Sequence, residues 1–219
     1  MEGVAKLGEV VKRRSYDSGR RRAQAEETRS AVVLAARNLF VEQGYGRTTI
    51  ADIARGAGVS NETIYAAFGN KATLLHKAWD ITVGGDDQDV VFHERPEVMA
   101  IRGERDLAKR LMLHAAFSTQ TAQRIAPFQL MVQSAAGADP AAAALLDEMG
   151  RQRLAGMTVM AAEAATTGQL AVSEEECRDV VWSMTDGTLW HRLVNERGWS
   201  NERFAEWLGR MWVAMLVKQ

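Results

Sequence analysis

The amino-acid sequence predicts an all-α protein of one large or two small domains. Only 3 of its 219 residues are proline, while Ala, Leu, Met, Glu and Arg, which favour helices, are abundant. Apolar residues recur at three- and four-residue spacing through much of the chain, as on the buried face of an amphipathic helix. Helix-start signals accompany this pattern, since Asp139 precedes Pro140 and Ser173 stands three residues before Glu176.

Composition narrows the class of protein. Charged residues make up 25% and apolar residues 47% of the chain, values that are ordinary for a globular protein. The single cysteine, Cys177, excludes an internal disulfide and suits a reducing compartment. No segment approaches the ~18 uninterrupted apolar residues of a membrane span, and the N-terminus is polar. We therefore expect a cytoplasmic protein without a membrane partner.

Residues 48–75 carry the most specific pattern, two short helices joined by a tight turn. Apolar residues at helical spacing and a capping box of Thr49 and Asp52 predict the first helix. Gly58 then supplies the left-handed backbone that a sharp turn requires. Helices this short must pack on neighbours, and their steep crossing is typical of a helix-turn-helix, whose second helix can enter the major groove of DNA. The turn alone would also fit a three-helix packing unit without a DNA function.

The second helix, capped by Ser60 or Asn61, presents polar side chains suited to DNA. Asn61 can read an adenine edge, while Thr63 and Tyr65 offer hydroxyls to phosphates. Lys71 adds a cation to the start of the next helix, a combination that binds phosphate. The residues that we predict to contact DNA are Arg47, Thr49, Ser60, Asn61, Thr63, Tyr65 and Lys71.

An ordered series of motifs runs through residues 34–75. These motifs are Gly44-Tyr45, Thr48-Thr49, Ile53-Ala54, Ala57-Gly58-Val59-Ser60, Thr63-Ile64-Tyr65, Phe68, Asn70-Lys71 and Leu74-Leu75. Together they resemble the DNA-binding domain of the TetR repressor family. The resemblance implies an all-helical homodimer that represses transcription by occupying an operator, and that releases the DNA when a small molecule binds the C-terminal domain. Ala66, Ala67 and Gly69 are smaller than the residues often found there, which leaves fewer long side chains for base contacts.

Charge supports a division of the chain into an N-terminal and a C-terminal part. Residues 1–80 carry 13 Lys and Arg against 9 Asp and Glu, a net +4, whereas residues 81–219 carry 14 against 19, a net −5. The positive part contains the helix-turn-helix, as expected for a surface that binds phosphate.

We predict a flexible basic arm over residues 1–24 with the clusters Lys12-Arg13-Arg14 and Arg20-Arg21-Arg22, a helix-turn-helix domain over 25–70, and a helical ligand-binding and dimerisation domain over 71–219. A solvated tail is the alternative to the arm.

The C-terminal part predicts a series of amphipathic helices. We expect helices over 96–103 and 104–123, a break at Pro127 that starts another helix, a long helix from Pro140 to about Thr167, and helices that open at Ser173 and Ser200. Ordinary core is the alternative for each apolar residue here, but the family resemblance favours a cavity for an apolar or aromatic molecule with one polar group. Our candidate lining residues are His114, Phe117, Phe128, Met131 and Met184.

The last two helices predict a dimer interface. In the last helix, apolar residues lie on nearly all sides, with a core stripe of Phe204, Trp207, Leu208, Met211 and Met215. Pairing of both helices with their copies across a twofold axis would cover the remaining apolar surface. Two helix-turn-helix units spaced by about one turn of DNA, or a multiple, would then read a palindromic operator.

Other functions fit less well. The four histidines show neither a paired nucleophile nor metal-ligand spacing, so we predict no catalytic residue, no metal and no cofactor. Asp86, Asp87, Asp89 and His93 match no ligand rule and favour a solvated acidic loop. We predict a ligand-responsive, sequence-specific transcriptional regulator, a repressor acting at the nucleoid with an unknown small-molecule effector. The alternatives are a non-specific nucleoid-type DNA-binding protein and a helical small-molecule-binding protein without regulatory DNA binding.

Overall fold

The structure, a computed structural model, describes residues 3–84 and 96–219, with side chains from residue 19 onwards. Over these two ranges the chain is helical, which confirms the predicted all-α class, and one isolated antiparallel bridge joins Leu170 to Val217. The helices are α1 Gly3–Gln43, α2 Ile50–Ala57, α3 Asn61–Phe68, α4 Lys71–Gly84, α5 Pro96–Gly103, α6 Leu107–Ala136, α7 Pro140–Ala165, α8 Glu174–Met184, α9 Thr188–Trp190, which continues as a π-helix His191–Glu196, and α10 Asn201–Leu216.

Helices α1, α2 and α3 form the predicted three-helix unit, and its local signals are confirmed. The Thr49 hydroxyl accepts a hydrogen bond from the Asp52 N–H at 3.1 Å, and the Asp52 carboxylate accepts one from the Thr49 N–H at 3.1 Å. Gly58 ends α2 with a φ of 67°, and the Ser60 hydroxyl accepts from the Thr63 N–H to begin α3. The core of the unit consists of fully buried side chains from these helices and α4: Ala36, Phe40, Ile53, Ile64, Leu74 and Leu75.

Helix α1 begins earlier than predicted. We expected a helix from residue 25 after a flexible arm, whereas α1 extends back to Gly3. Residues 3–24 contain no proline and many charged residues of good helix propensity, so the backbone continues as a helix. The cluster Arg20-Arg21-Arg22 is therefore exposed on a helix. The side chains of Lys12-Arg13-Arg14 lie outside the described residues, and the domain division at residue 24 stays a prediction.

Helix α6 is the central helix of the C-terminal part, with α1, α4, α7 and α10 packed on it. The predicted break at Pro127 is wrong, because α6 runs from Leu107 to Ala136 with the proline inside it. A proline inside a helix removes one backbone hydrogen bond. Its neighbours Ala126 and Phe128 are fully buried, however, and packing on several sides outweighs the local preference.

The connection after α8 also differs from the prediction. Apolar residues at helical spacing continue from Cys177 to His191, which would favour one helix, but α8 ends at Met184 and the chain turns at Gly187, with a φ of 80°. Both carboxylate oxygens of Asp186 accept hydrogen bonds from Thr188, one from its N–H at 2.9 Å and one from its hydroxyl at 3.0 Å. The turn brings Gly187 against Ala126 of α6, a close approach that helical periodicity does not reveal.

Helix α10 packs along α6 through a stripe that differs from the predicted one. Phe204, Leu208, Trp212 and Leu216 are buried, whereas Met215, which we assigned to the core, is 41% exposed. Residues four apart lie on one side of a helix, and this alternative set places the large Trp212 ring inward. The prediction failed because α10 is apolar on several sides, so periodicity alone fits more than one stripe.

The buried side chains form two clusters that meet along α6. The first cluster joins α1–α4 to the C-terminal half of α6 and the start of α7, and it includes Trp79, Phe128 and Leu145. The second cluster joins the N-terminal half of α6 to α8 and α10, and it includes Leu111 and Trp212. Helix α4 therefore shares one core with the helix-turn-helix and with the C-terminal domain.

Two expectations concern ions and membranes. The acidic loop predicted around Asp86, Asp87, Asp89 and His93 lies outside the described residues. Within the described ranges there is no cluster of three or more potential metal ligands. In the same part of the chain, no helix combines the length and the apolar character needed to cross a membrane.

The close approach at Gly187 gives a stability prediction. In Gly187→Ala, the new Cβ would lie 3.0 Å from Ala126 Cβ in a left-handed backbone, so we expect the free energy of unfolding to fall by about 2–4 kcal/mol. Gly198→Ala is the matched control, because its φ is 69° and no atom lies within 4 Å of the added Cβ. It should lose only about 1–2 kcal/mol. Equal losses in urea denaturation of the two variants would contradict the proposed contact.

Candidate nucleic-acid interface and ligand cavity

Helix α3 buries one side chain and leaves most of its surface open. Ile64 is fully buried against the helix-turn-helix core, while Asn61, Thr63 and Tyr65 are exposed. Tyr65 is 55% exposed, a high value for a large aromatic side chain. Ala66 is also exposed and adds no bulk, so the backbone of α3 can approach another molecule closely.

Two predicted contact residues, Thr49 and Ser60, use their hydroxyls to begin helices. The Thr49 hydroxyl donates to the Asp52 carboxylate at 2.6 Å, and this bond also keeps the pKa of Asp52 below its usual range. The Ser60 hydroxyl lies 3.2 Å from that of Thr63. These caps set where α2 and α3 begin, and both residues are exposed.

Arg47 and Lys71 differ in what their charged groups touch. Arg47 is exposed, and its Nε donates to the Gln43 carbonyl at 2.6 Å near the end of α1. Lys71 is directed inward: its Nζ donates to the Tyr45 carbonyl at 2.9 Å and the Thr48 carbonyl at 3.2 Å, and lies 4.1 Å from the centre of the Tyr45 ring. This geometry corrects the prediction of a free phosphate clamp, because two of the three ammonium donors are used within the protein.

A cavity of about 280 Å³ lies between α4, α6 and α7. Its walls are mainly apolar, with Trp79 and Val83 contributed by α4. The lining residues of α6 run from His114 to Gln129, a distance of about 22 Å at 1.5 Å per residue. Its remaining lining residues are Phe117, Ser118, Thr121, Ala122, Ile125, Met149, Gln152, Arg153, Gly156, Met157 and Thr185.

Three of the polar side chains in the cavity wall, those of His114, Gln129 and Arg153, could interact with a polar group of a ligand. Burial lowers the pKa of His114 to about 4, so the imidazole is neutral at pH 7. Gln129 is 4% exposed, and its amide forms no hydrogen bond with another described residue. Burial also lowers the pKa of Arg153, an effect that the charge of Asp186 opposes. Such groups fix the orientation of a ligand in an otherwise apolar cavity.

The structure brings two of the five predicted lining residues to the cavity. His114 and Phe117 line it, whereas Phe128, Met131 and Met184 do not. Phe128 is fully buried and stacks on Trp79 with ring centres 6.1 Å apart. Met131 belongs to the first core cluster, and Met184 packs against the second. These positions favour the alternative of ordinary core for the three residues.

Sequence reasoning missed Trp79, Gln129 and Arg153. Trp79 follows the apolar spacing of α4 and looks in the sequence like a core residue, and Arg153 lies on a helix whose middle is largely exposed. Gln129 offered one signal, because it is a polar residue between the apolar residues of α6. Which helices border a cavity depends on tertiary packing, and one sequence does not contain that information directly.

Comparison with known proteins finds a family whose DNA-binding domain resembles the helix-turn-helix part of this chain. A family profile described as bacterial regulatory proteins of the TetR family matches residues 32–78. The helix-turn-helix part of the chain is therefore similar to the DNA-binding domain of the TetR family. A curated relative, the HTH-type transcriptional regulator TtgR of Pseudomonas putida, is 44% identical over 61 residues, which are 28% of this chain and 29% of the relative. The match thus spans less than a third of that relative's length.

Solved structures share the all-helical fold over most of the chain. NalD, the secondary repressor of the MexAB-OprM multidrug efflux pump in Pseudomonas aeruginosa, has a TM-score of 0.63 at 20% identity and covers 89% of this chain and 98% of its own. SmeT in complex with triclosan has a TM-score of 0.62 at 19% identity, covering 88% and 92%. At these identities the likeness establishes the fold.

The low pKa of His114 predicts a pH dependence of stability. Because folding lowers this pKa from 6.5 to about 4, protonation favours the unfolded chain. The wild type should therefore lose about 2–3 kcal/mol of stability from this group as the pH falls from 6.5 to 4. His114→Gln should lack this part of the loss in denaturant unfolding at several pH values, with exposed His76→Gln as the control. The prediction fails if His114→Gln keeps the wild-type dependence.

Proposed function

We propose that this protein is a ligand-responsive, sequence-specific transcriptional repressor of the TetR family. Helix α3 is the reading helix, and the cavity between α4, α6 and α7 holds a small effector with a large apolar or aromatic part. Binding of the effector shifts α4 and releases the DNA. The protein acts on chromosomal DNA in the cytoplasm.

The exposed surface of α3 is the observation that carries the proposal. Asn61, Thr63 and Tyr65 are exposed there, while Ile64 anchors the helix in the core. Asn61 offers an amide that matches the major-groove edge of adenine, and Tyr65 offers a hydroxyl to phosphate. Arg47, Thr49 and Ser60 are exposed and are proposed to contact the DNA backbone.

A homodimer and a palindromic operator belong to the same proposal. Helix α10 keeps apolar surface after packing on α6, since Met215 is 41% exposed and Trp207 and Met211 are half-buried. On α8, Trp182 and Met184 are also half-buried. We propose that α8 and α10 pair with their copies, because apolar surface on two adjacent helices favours a twofold four-helix interface. Two α3 helices would then read matching half-sites.

An effector that controls DNA binding must distinguish two arrangements of the protein. Helix α4 is placed to sense it, because Trp79 and Val83 line the cavity while Lys71 binds backbone carbonyls beside α2. In SmeT, a neighbour of the same fold, triclosan is the bound molecule. A small molecule with a large apolar part would similarly suit the walls of this cavity.

The test of DNA reading begins with selection of bound sequences from a random DNA pool. Tyr65→Ala should weaken binding to the selected site and to random DNA by the same factor, because a phosphate contact carries no sequence information. Asn61→Ala should relax preference at one position and cost about 1–3 kcal/mol at the selected site. Tyr65→Phe, which removes only the hydroxyl, separates its role from that of the ring.

The possible results separate the proposal from its alternatives. Enrichment of a palindrome that wild type binds far more tightly than random DNA supports the proposal. Binding to DNA without any enriched sequence would indicate a non-specific DNA-binding protein. If the protein binds small molecules but no DNA, it is a helical small-molecule-binding protein, and the proposed regulation is contradicted.

A further inference from the structure

Among the described residues, Arg153 carries the one guanidinium that lines the cavity, and its charge is not paired. Its Nε is buried without a hydrogen-bond partner. Within the described ranges, Arg153 forms no ion pair with a carboxylate. The charge of Asp186 acts on Arg153 without an ion pair between these two described residues, and both oxygens of Asp186 accept hydrogen bonds from Thr188. Arg153 is half-buried, and a bound anion would give its buried Nε an acceptor.

The aromatic neighbour of Arg153 also carries a donor without a partner. The Arg153 guanidinium lies over the Trp182 ring, 4.9 Å from the ring centre, and the indole Nε1 of Trp182 is itself buried without a partner. The aromatic ring holds the guanidinium in place but does not neutralise it. The Nε of Arg153 and the Nε1 of Trp182 therefore both lack an acceptor. An anionic group of a ligand could accept hydrogen bonds from such donors.

The remainder of the cavity suits an apolar body. Trp79, Phe117 and Met157 supply apolar walls, and the lining extends for about 22 Å along α6. His114 is neutral at pH 7, so it adds no second charge. The amide of Gln129 can meet a single further polar group. The cavity thus combines a long apolar surface with one site of positive charge.

We propose that the effector is an apolar carboxylic acid whose carboxylate binds Arg153 and whose alkyl or aryl part lies along α6. Arg presents a planar fork of donors that matches a carboxylate, and a charge-assisted pair of this kind is stronger than a hydrogen bond between neutral groups. A quaternary ammonium of the same shape would be repelled by the guanidinium. This inference rests on the proposed function, since it names the chemical class of the effector.

The test compares acids with neutral and cationic molecules of the same shape. Phenylbutanoate and decanoate are the acidic probes, their primary amides are the neutral probes, and phenylpropyl-trimethylammonium is the cationic probe. Calorimetric titration of the full-length protein should give at least about tenfold tighter binding of each acid than of its amide. Arg153→Gln should abolish that preference while leaving the affinity for the amides unchanged.

Arg151→Gln is the matched control on the same helix. Arg151 is exposed and pairs with Glu148, so its removal should leave the preference for acids intact. Arg153→Lys keeps the charge without the fork and should recover only part of the preference. Circular dichroism and the amide affinities verify that each variant folds and keeps its cavity.

The outcomes separate this inference from the proposed function. Equal binding of acids and amides, tighter binding of the ammonium probe, or binding of no probe would overturn the inference. If amides bind as well as acids and release the selected DNA, the ligand-responsive regulation stands and only the acid class is wrong. If acids bind through Arg153 but the DNA affinity stays unchanged, the acid class stands and the proposed regulation is wrong.

Discussion

The structure depends on the way in which α4 is held at both of its ends. At its N-terminus, the Lys71 ammonium binds the carbonyls of Tyr45 and Thr48, just before α2. At its C-terminus, Arg124 of α6 donates to the Thr82 carbonyl at 2.9 Å and the Val83 carbonyl at 2.8 Å. The last carbonyls of a helix lack partners within the helix, and a cation is the group that stabilises them. One short helix therefore connects the two functional parts through charge-assisted hydrogen bonds.

This arrangement gives the proposed switch a physical basis. Trp79 lines the cavity, stacks on Phe128 and donates from its indole N–H to Gln152 at 3.4 Å. A molecule that enters beside Trp79 has to displace or press on a side chain that is packed in the first core cluster. Well-packed cores respond by shifting whole elements rather than by deforming gradually. Because Lys71 lies on the same helix, a shift of α4 reaches the carbonyls beside α2 directly.

Much of the N-terminal unit was predictable from the sequence because its signals are local. The capping box of Thr49 and Asp52, the left-handed Gly58 and the cap at Ser60 each act within four residues, and each appears as predicted. The role of Lys71 was not predictable in this way, because its acceptors lie 26 and 23 residues earlier in the chain. A helix-terminal cation looks the same in sequence whether it faces DNA or the protein.

The C-terminal domain was less predictable because its features depend on distant packing. Pro127 signals a break locally, yet α6 continues because its neighbouring residues are buried. Phe128 and Met131 look like good cavity residues, but they point into the core, while the polar Gln129 between them faces the cavity. Adjacent residues on a helix face different neighbours, and only the arrangement of all the helices decides which neighbour is a cavity.

The coupling through Lys71 is tested most directly by measuring how a bound probe changes DNA affinity. The ratio of DNA dissociation constants with and without a cavity-binding probe is measured for wild type, Lys71→Met and Lys77→Met. Lys77 is exposed on the same helix and pairs with Asp80, so it serves as the control. Our account predicts that Lys71→Met binds the probe normally but has a ratio near one, while the other two proteins share a large ratio. An undiminished ratio in Lys71→Met would contradict it.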